Sequence, residues 1–125
     1  MLIGVDEEGG TVVRVSANPN FRAEKFRPPQ ALYNEGGFDR IISDTEEKDA
    51  LLASIGVNVN FAPVCDVSTD PNDFMNARAF GKDAAQTSEY VRTVVAQMLA
   101  DNTGMVLKHF PGYGSNADTH TGIAI

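Results

Sequence analysis

Three short apolar runs, each stopping at a polar or charged side chain, constrain this chain more than any other feature. Residues 2–5 stop at Asp6, residues 57–64 alternate apolar with Asn58 and Asn60 and then run apolar to close on Asp66, and residues 105–107 stop at Lys108. Runs this short and this rich in β-branched residues read as strands buried on both faces. Between them lie two stretches that read as helices. Residues 38–55 are entered after Gly36-Gly37 and end at Gly56, which suits a left-handed helix stop. Ser43, Asp44 and Thr45 have capping chemistry, but one long helix accounts better for that stretch. Asp83 is placed to cap a second helix over 84–102, in which Val91, Val94, Val95, Met98 and Leu99 form one apolar face and Gly104 ends the element. Strand, helix, strand, helix, strand, with buried strands, means a parallel α/β architecture.

A complete (β/α)₈ barrel takes about 250 residues, and the 125 residues here make about half of one. The pattern by itself serves a half-barrel or a small doubly wound sheet equally well. The rest of the chain is less regular. Residues 11–15 are β-prone again, interrupted by Arg14. Residues 16–29 carry Asn-Pro and Pro-Pro punctuation with Arg22, Lys25 and Arg27, and read as an irregular excursion whose Phe21 and Phe26 call for burial.

Composition narrows the function classes. A hydrophobic share of 42% and a charged share of 22% describe an ordinary globular domain. A net charge of -7 argues against a nucleic-acid surface, which needs a positive field. No stretch approaches the ~20 apolar residues of a membrane span, and the first charge comes too early for a signal peptide. Cys65 is the single cysteine, so it offers neither an intrachain disulfide nor a cysteine metal cluster. Within an apolar run it reads as core. Neither observation fixes a compartment.

The chemistry gathers at the strand ends, where α/β enzymes place their sites. Asp6 beside Gly9-Gly10 suits close approach of a ligand and hydrogen bonding to vicinal hydroxyls, whereas Glu7 and Glu8 read equally well as a solvated turn. Arg14, Arg78 and Lys108 would make a local positive site for hydroxyls, an acetamido carbonyl or a carboxylate if they share one edge. Lys108 follows three apolar residues, so its ammonium is drawn inward and needs partners. His109 stands between that cation and a Pro/Gly turn. Asp118 and His120 share one side of an extended loop, and a carboxylate on one imidazole nitrogen leaves the other for acid–base work. No phosphate loop or nucleophile elbow is present, and the spacing of His109, Asp118 and His120 matches no zinc signature. No metal and no cofactor is expected.

Taken together, Asp6-Glu7-Glu8-Gly9-Gly10 with Arg14, Asn60-Phe61-Ala62-Pro63-Val64 with Asp66-Val67, Arg78-Ala79-Phe80-Gly81, Lys108-His109-Phe110-Pro111-Gly112 and Asp118-Thr119-His120 resemble glycoside hydrolase family 3, in its β-N-acetylhexosaminidase branch. The resemblance runs from Leu2 to Gly122 and is weakest over 16–34. It implies a single stretch, 1–125, of a (β/α)₈-type catalytic barrel. It also implies retaining hydrolysis of terminal β-linked N-acetylglucosamine from peptidoglycan- or chitin-derived oligosaccharides. Carried across, Asp6, Arg14, Arg78, Lys108 and His109 would hold the sugar, and His120, oriented by Asp118, would be the general acid/base. An imidazole repels an incoming anion less than a carboxylate does, so phosphate as well as water stays open as the acceptor. The family's nucleophilic Asp belongs to a later loop, and its first strand and helix would precede Met1. The chain alone is therefore expected to hydrolyse nothing, and its open sheet edges to favour self-association. A β-glucosidase-type member and a non-catalytic carbohydrate-binding module are the remaining readings.

Overall fold

The computed structural model describes residues 1–123. Its elements are β1 (Gly4–Val5), α1 (Pro29–Ser54), β2 (Val59–Asn60), α2 (Ala84–Ala100) and β3 (Gly104–Met105). The strands form one parallel sheet in the order β1-β2-β3, with Gly4 opposite Val59 and Val59 opposite Gly104. This is the α/β alternation of a partial barrel. The regular strands are shorter than the apolar runs. The residues 11–15 are no strand at all, their pairing being limited to a tight antiparallel bridge between Gly9 and Val12. Leu2 and Ile3, expected inside, are 83% and 43% exposed.

The alternation over 57–61 serves backbone pairing. Asn58 and Asn60 use their side-chain amides as surrogate peptides. The Ile3 N–H donates to Asn58 Oδ1 at 2.7 Å and Asn58 Nδ2 donates to the Met1 carbonyl. The Glu7 N–H donates to Asn60 Oδ1 while Asn60 Nδ2 donates to the Glu7 carbonyl, both at 3.0 Å. The β1–β2 ladder is thereby prolonged at both ends. Asn60 is 2% exposed, which is tolerable because its amide is paired.

Helix α1 begins nine residues earlier than the apolar pattern indicates. Pro28 caps it and Pro29 occupies its first position, where the missing N–H costs nothing. Gly36 and Gly37 interrupt it, Gly37 at φ +63° and ψ −151°, a conformation only glycine adopts readily. The regular continuation beyond them coincides with the helix expected from residue 38. Asp44 and Thr45 sit mid-helix. Asp44 pairs with Lys48 one turn on at 3.1 Å, and the Thr45 hydroxyl donates to the Ile41 carbonyl. In α2, Asp83 is the N-cap, accepting from the Gln86 N–H. Asn102 at φ +57° makes the left-handed exit instead of Gly104, which opens β3. The buried stripe is Thr87, Tyr90, Val94 and Met98, and Leu99 points outward at 66% exposure.

The core lies between the two helices: Leu32 and Ile41 from α1, Tyr90, Val94 and Met98 from α2, and Phe80 wedged in from the connecting loop. Phe80 stacks on Tyr90 at 4.7 Å and meets Tyr33 edge-on at 5.1 Å, both favourable aromatic geometries. Gln30 locks this loop to the start of α1 by donating to the Asn76 and Ala79 carbonyls. Phe26 is buried as expected and carries the Arg22 guanidinium over its ring, but Phe21 is 48% exposed. Cys65 is only half-buried and outside the regular strand.

Asp49 on α1 is buried beside the Asp101 and Thr103 side chains, and neither of its carboxyl oxygens has a hydrogen bond of normal geometry. Burial, with the nearby Asp101 carboxyl as a lesser cause, raises its pKa from 3.8 to about 7. Between those values the unfolded chain is ionised at this residue while the fold keeps its proton. Stability therefore falls as pH rises from about 4 to about 7 and then levels off, by at most roughly 4 kcal/mol from this group. The expected outcome for Asp49→Asn is a gain over the wild type of roughly 2–4 kcal/mol at pH 8 relative to pH 4.5. Urea-denaturation midpoints at the two pH values check it.

Candidate active site

The carboxyl ends of the three strands converge on an open cleft of about 480 Å³, lined among others by Asp6, Arg14, Arg78, Lys108, His109 and His120, with Phe61 and Tyr113 as apolar walls. Asp6 directly follows β1, and Lys108 forms a parallel bridge with Val64 beyond β3. Arg78 is delivered by the turn after Met75, whose carbonyl accepts from the Arg78 and Ala79 N–H groups. Gly81 closes that segment at φ +76°, packed so tightly on the Gln30 amide that a Cβ has no room. Arg14 is exposed at the rim, its Nη1 donating to the Val13 carbonyl. The three cations expected to share one edge do share it.

The floor of the cleft is an ion-pair lattice centred on Glu8, which is buried rather than solvated. Its carboxylate receives Arg78 Nη2 at 2.7 Å and Nε at 3.0 Å, and Lys108 Nζ at 2.6 Å. Lys108 also donates to Asp6 Oδ1 at 2.7 Å. Glu8 holds Arg78 firmly as a guanidinium, its pKa raised chiefly by these hydrogen bonds. Glu7, the other half of the supposed solvated turn, is wholly buried. It accepts from the backbone N–H groups of Arg14, Val15 and Ser16 and from the Ser16 hydroxyl.

His109 is held by Asp66, which the sequence marks as a strand terminus and a motif residue but not as a site residue. Asp66 Oδ2 accepts from the His109 backbone N–H at 3.1 Å and contacts its Nδ1 at 2.7 Å, while Oδ1 accepts from the Tyr113 N–H at 2.8 Å. Arg78 Nη2 lies 3.4 Å from His109 Nε2. A guanidinium can only donate, so Nε2 is the accepting nitrogen and Nδ1 carries the proton toward Asp66. The Lys108-His109 and Phe110-Pro111 peptides are cis. Tyr113 sits edge-on to His109 at 5.1 Å and tilts against Phe74.

Where the cleft opens to solvent, Asp118 and His120 do meet. Asp118 Oδ1 accepts from the His120 backbone N–H at 3.0 Å and lies 2.8 Å from Nδ1. These two bonds, the backbone one first, hold the Asp118 carboxyl below the ordinary carboxylate range. With Nδ1 committed to Asp118, Nε2 of His120 is free, and the side chain is 85% exposed. The turn is secured locally, by Thr121 donating to the Asp118 carbonyl and by contact of the Tyr113 and Thr119 hydroxyls at 3.1 Å. Burial pushes the Cys65 thiol up, so it is no activated nucleophile. Among the described residues no group of three or more His, Cys, Asp or Glu side chains could hold a metal ion, and no helix is long and apolar enough to cross a membrane.

Fold and site place this chain among α/β domains with a polar cleft at the carboxyl ends of their strands, and comparison with known proteins specifies the family. The profile described as the glycosyl hydrolase family 3 N terminal domain matches residues 1–125, and the chain belongs to that family. It is 33% identical over 128 residues to beta-hexosaminidase A of Pseudoalteromonas piscicida, covering 98% of this chain and 21% of that protein. It superposes on a glycosyl hydrolase of family 3 from Mycobacterium smegmatis with a TM-score of 0.84 and 31% identity, over 98% of this chain and 38% of that one. A family 3 beta-N-acetylglucosaminidase from Paenibacillus sp. is similar at a TM-score of 0.80 and 26% identity, over 96% of this chain and 22% of that one. The chain thus spans well under half the length of each of these relatives.

Removing the Asp66 carboxylate strips partners from two backbone N–H groups and an imidazole at once. Asp66→Ala is expected to cost about 3 kcal/mol, and Asp66→Asn less because its amide oxygen still accepts. Chemical denaturation of the two variants beside the wild type checks the ranking.

Proposed function

We propose that this chain supplies part of the active site of a retaining β-N-acetylhexosaminidase that removes terminal β-linked N-acetylglucosamine from peptidoglycan- or chitin-derived oligosaccharides. The observation that carries the reading is the Asp118–His120 pair, 2.8 Å apart, whose imidazole lines the same cleft as Asp6, Arg14, Arg78, Lys108 and His109. Relatives named beta-hexosaminidase and beta-N-acetylglucosaminidase support the substrate class.

In this reading Asp6, Arg14, Arg78, Lys108 and His109 bind the sugar's hydroxyls and acetamido group. His120 enters as the imidazolium, with Nδ1–H on Asp118, and gives its Nε2 proton to the glycosidic oxygen as the C1–O bond breaks. A carboxylate attacks C1 and forms the glycosyl ester. Water then gives a proton to Nε2 while its oxygen displaces the carboxylate, which releases the sugar with its configuration retained. Asp6 and Glu8 are engaged with Lys108, Asp66 with His109, and Asp118 with His120. That occupancy supports a nucleophile contributed by polypeptide outside this stretch.

The test is His120→Ala in a longer polypeptide that includes the nucleophile, assayed with aryl N-acetylglucosaminides of graded leaving-group pKa. The expected loss is about 10²–10⁴-fold for poor leaving groups and far smaller for an activated phenolate. Equal rates for variant and wild type across the series overturn the assignment. The 125-residue chain assayed alone is expected to give no turnover.

We also propose self-association through the sheet's open sides, supported by the exposure of Leu2 at 83%, Val106 at 44% and Leu107 at 50% next to the two edge strands. Sedimentation of the chain is expected to show concentration-dependent dimers. A monomer at all concentrations contradicts this.

A further inference from the structure

We infer that Glu8 is a positioning and specificity residue that fixes Lys108 and Arg78 in the cleft floor and tunes the site to a neutral ligand over an anion. The inference rests on the proposed function for its sugar substrate, but the geometry behind it does not. Glu8 is 4% exposed in its side chain and has no route to contact a ligand itself. One of its oxygens, Oε1, receives both Lys108 Nζ at 2.6 Å and Arg78 Nη2 at 2.7 Å. The two cations therefore lie within about 5 Å of each other, a separation that like charges hold in a partly buried site only with a shared counter-charge between them.

The bonds also allocate donors. Lys108 has three N–H groups, and Asp6 and Glu8 take two. Arg78 commits Nε and one Nη2 hydrogen to Glu8, and Nη2 also approaches His109 Nε2. What remains toward the cleft is a small number of directed N–H groups on a charge-compensated floor. Such a floor binds hydroxyls and a carbonyl by oriented hydrogen bonds and offers little net attraction to an anion. Neutralising Glu8 releases donors from both cations and leaves one extra positive charge. The same site then gains the character of an oxyanion-binding pocket.

The experiment compares Glu8→Gln with the wild type in the longer polypeptide that the proposed function requires. Kinetics use an aryl N-acetylglucosaminide with sulfate as an inert anionic inhibitor. For Glu8→Gln we expect KM to rise about tenfold or more, kcat to stay within about threefold, and the sulfate inhibition constant to drop about fivefold or more. A Lys108→Met background cancels the extra positive charge, so the gain in sulfate inhibition is expected to shrink to the part that the Arg78 donors alone supply. Glu8→Asp keeps the charge and shortens the reach, so KM should rise with no gain in sulfate inhibition. If Glu8→Gln does not fold, calorimetric titration of sulfate into Lys108→Met decides: a Lys108 charge already cancelled by Glu8 predicts a sulfate affinity within about twofold of the wild type, and a loss of about fivefold or more overturns the inference. A purely structural role for Glu8 would lower activity without any gain of anion affinity. Unchanged KM and sulfate sensitivity in Glu8→Gln, or a gain of sulfate inhibition in Glu8→Asp, overturns the inference. Absence of turnover in the wild type would instead count against the proposed substrate, and calorimetric titration of sulfate into wild type and Glu8→Gln would still decide the role of Glu8.

Discussion

Where the backbone leaves β1, Glu7 turns inward, and the arrangement of the cleft follows from that one buried carboxylate. It would be prohibitively costly in place without donors. Three successive backbone N–H groups and the Ser16 hydroxyl supply them. Asn60 clasps the Glu7 peptide from the neighbouring strand. Successive side chains of extended backbone alternate in direction. With Glu7 committed to the interior, Asp6 and Glu8 are turned the other way, toward Lys108. The loop 14–16 is drawn over the end of the sheet by the same bonds, which is how Arg14 comes to the rim of the cleft.

The cleft built on this anchor has two parts of different character. Its floor holds the mutually compensating charges of Glu8 with Arg78 and Lys108, beside the hydrogen-bonded pair Asp66 and His109, all largely removed from solvent. Each of these pairs joins segments far apart in sequence, so the floor exists only when the fold does. The solvent-facing rim is local. Asp118, Thr119, His120 and Thr121 hold one another within a single turn, and the imidazole reaches solvent. In the proposed reaction that division suits the tasks, since binding a sugar needs fixed directions whereas an acid–base group needs a free nitrogen and access to water.

The sequence was readable where a residue type answers to a local rule. The β/α order, the Asp83 cap, the glycine break before residue 38 and the Asp118–His120 contact all depend on spacings of a few residues. It was unreadable where partners lie tens of residues apart. Glu8 meets Arg78 and Lys108 across the whole chain, and Asp66 meets His109 from the adjacent strand, so a carboxylate pair next to two glycines passed for a turn. The asparagines of 57–61 follow the same rule, because nothing in an alternating polar residue tells which neighbouring backbone needs its amide. Leu99 shows the opposite failure: helical periodicity marks a face, but the neighbouring helix covers only the part of that face centred on Tyr90, Val94 and Met98.

Strands of two residues each are a slight scaffold for a binding site, and the ladder alone does not explain why the strand ends stay in register. The side-chain bonds do. Asn58 and Asn60 lengthen the β1–β2 pairing at both ends. Beyond β3, the Cys65 N–H donates to the Lys108 carbonyl and the Lys108 N–H to that of Pro63, which carries the third strand up to the cleft. Register at the site is thus set by polar groups beyond the regular ladder, with the buried Asn60 amide tolerating few alternative partners. The exposed apolar side chains, Leu2, Val106 and Leu107, flank the sheet but take no part in this network. Covering them, by a second copy or by further polypeptide, would add burial energy without altering the polar contacts that place Glu8, Lys108 and Arg78. The geometry of the cleft floor and the completeness of the sheet around it are therefore separate properties of the fold.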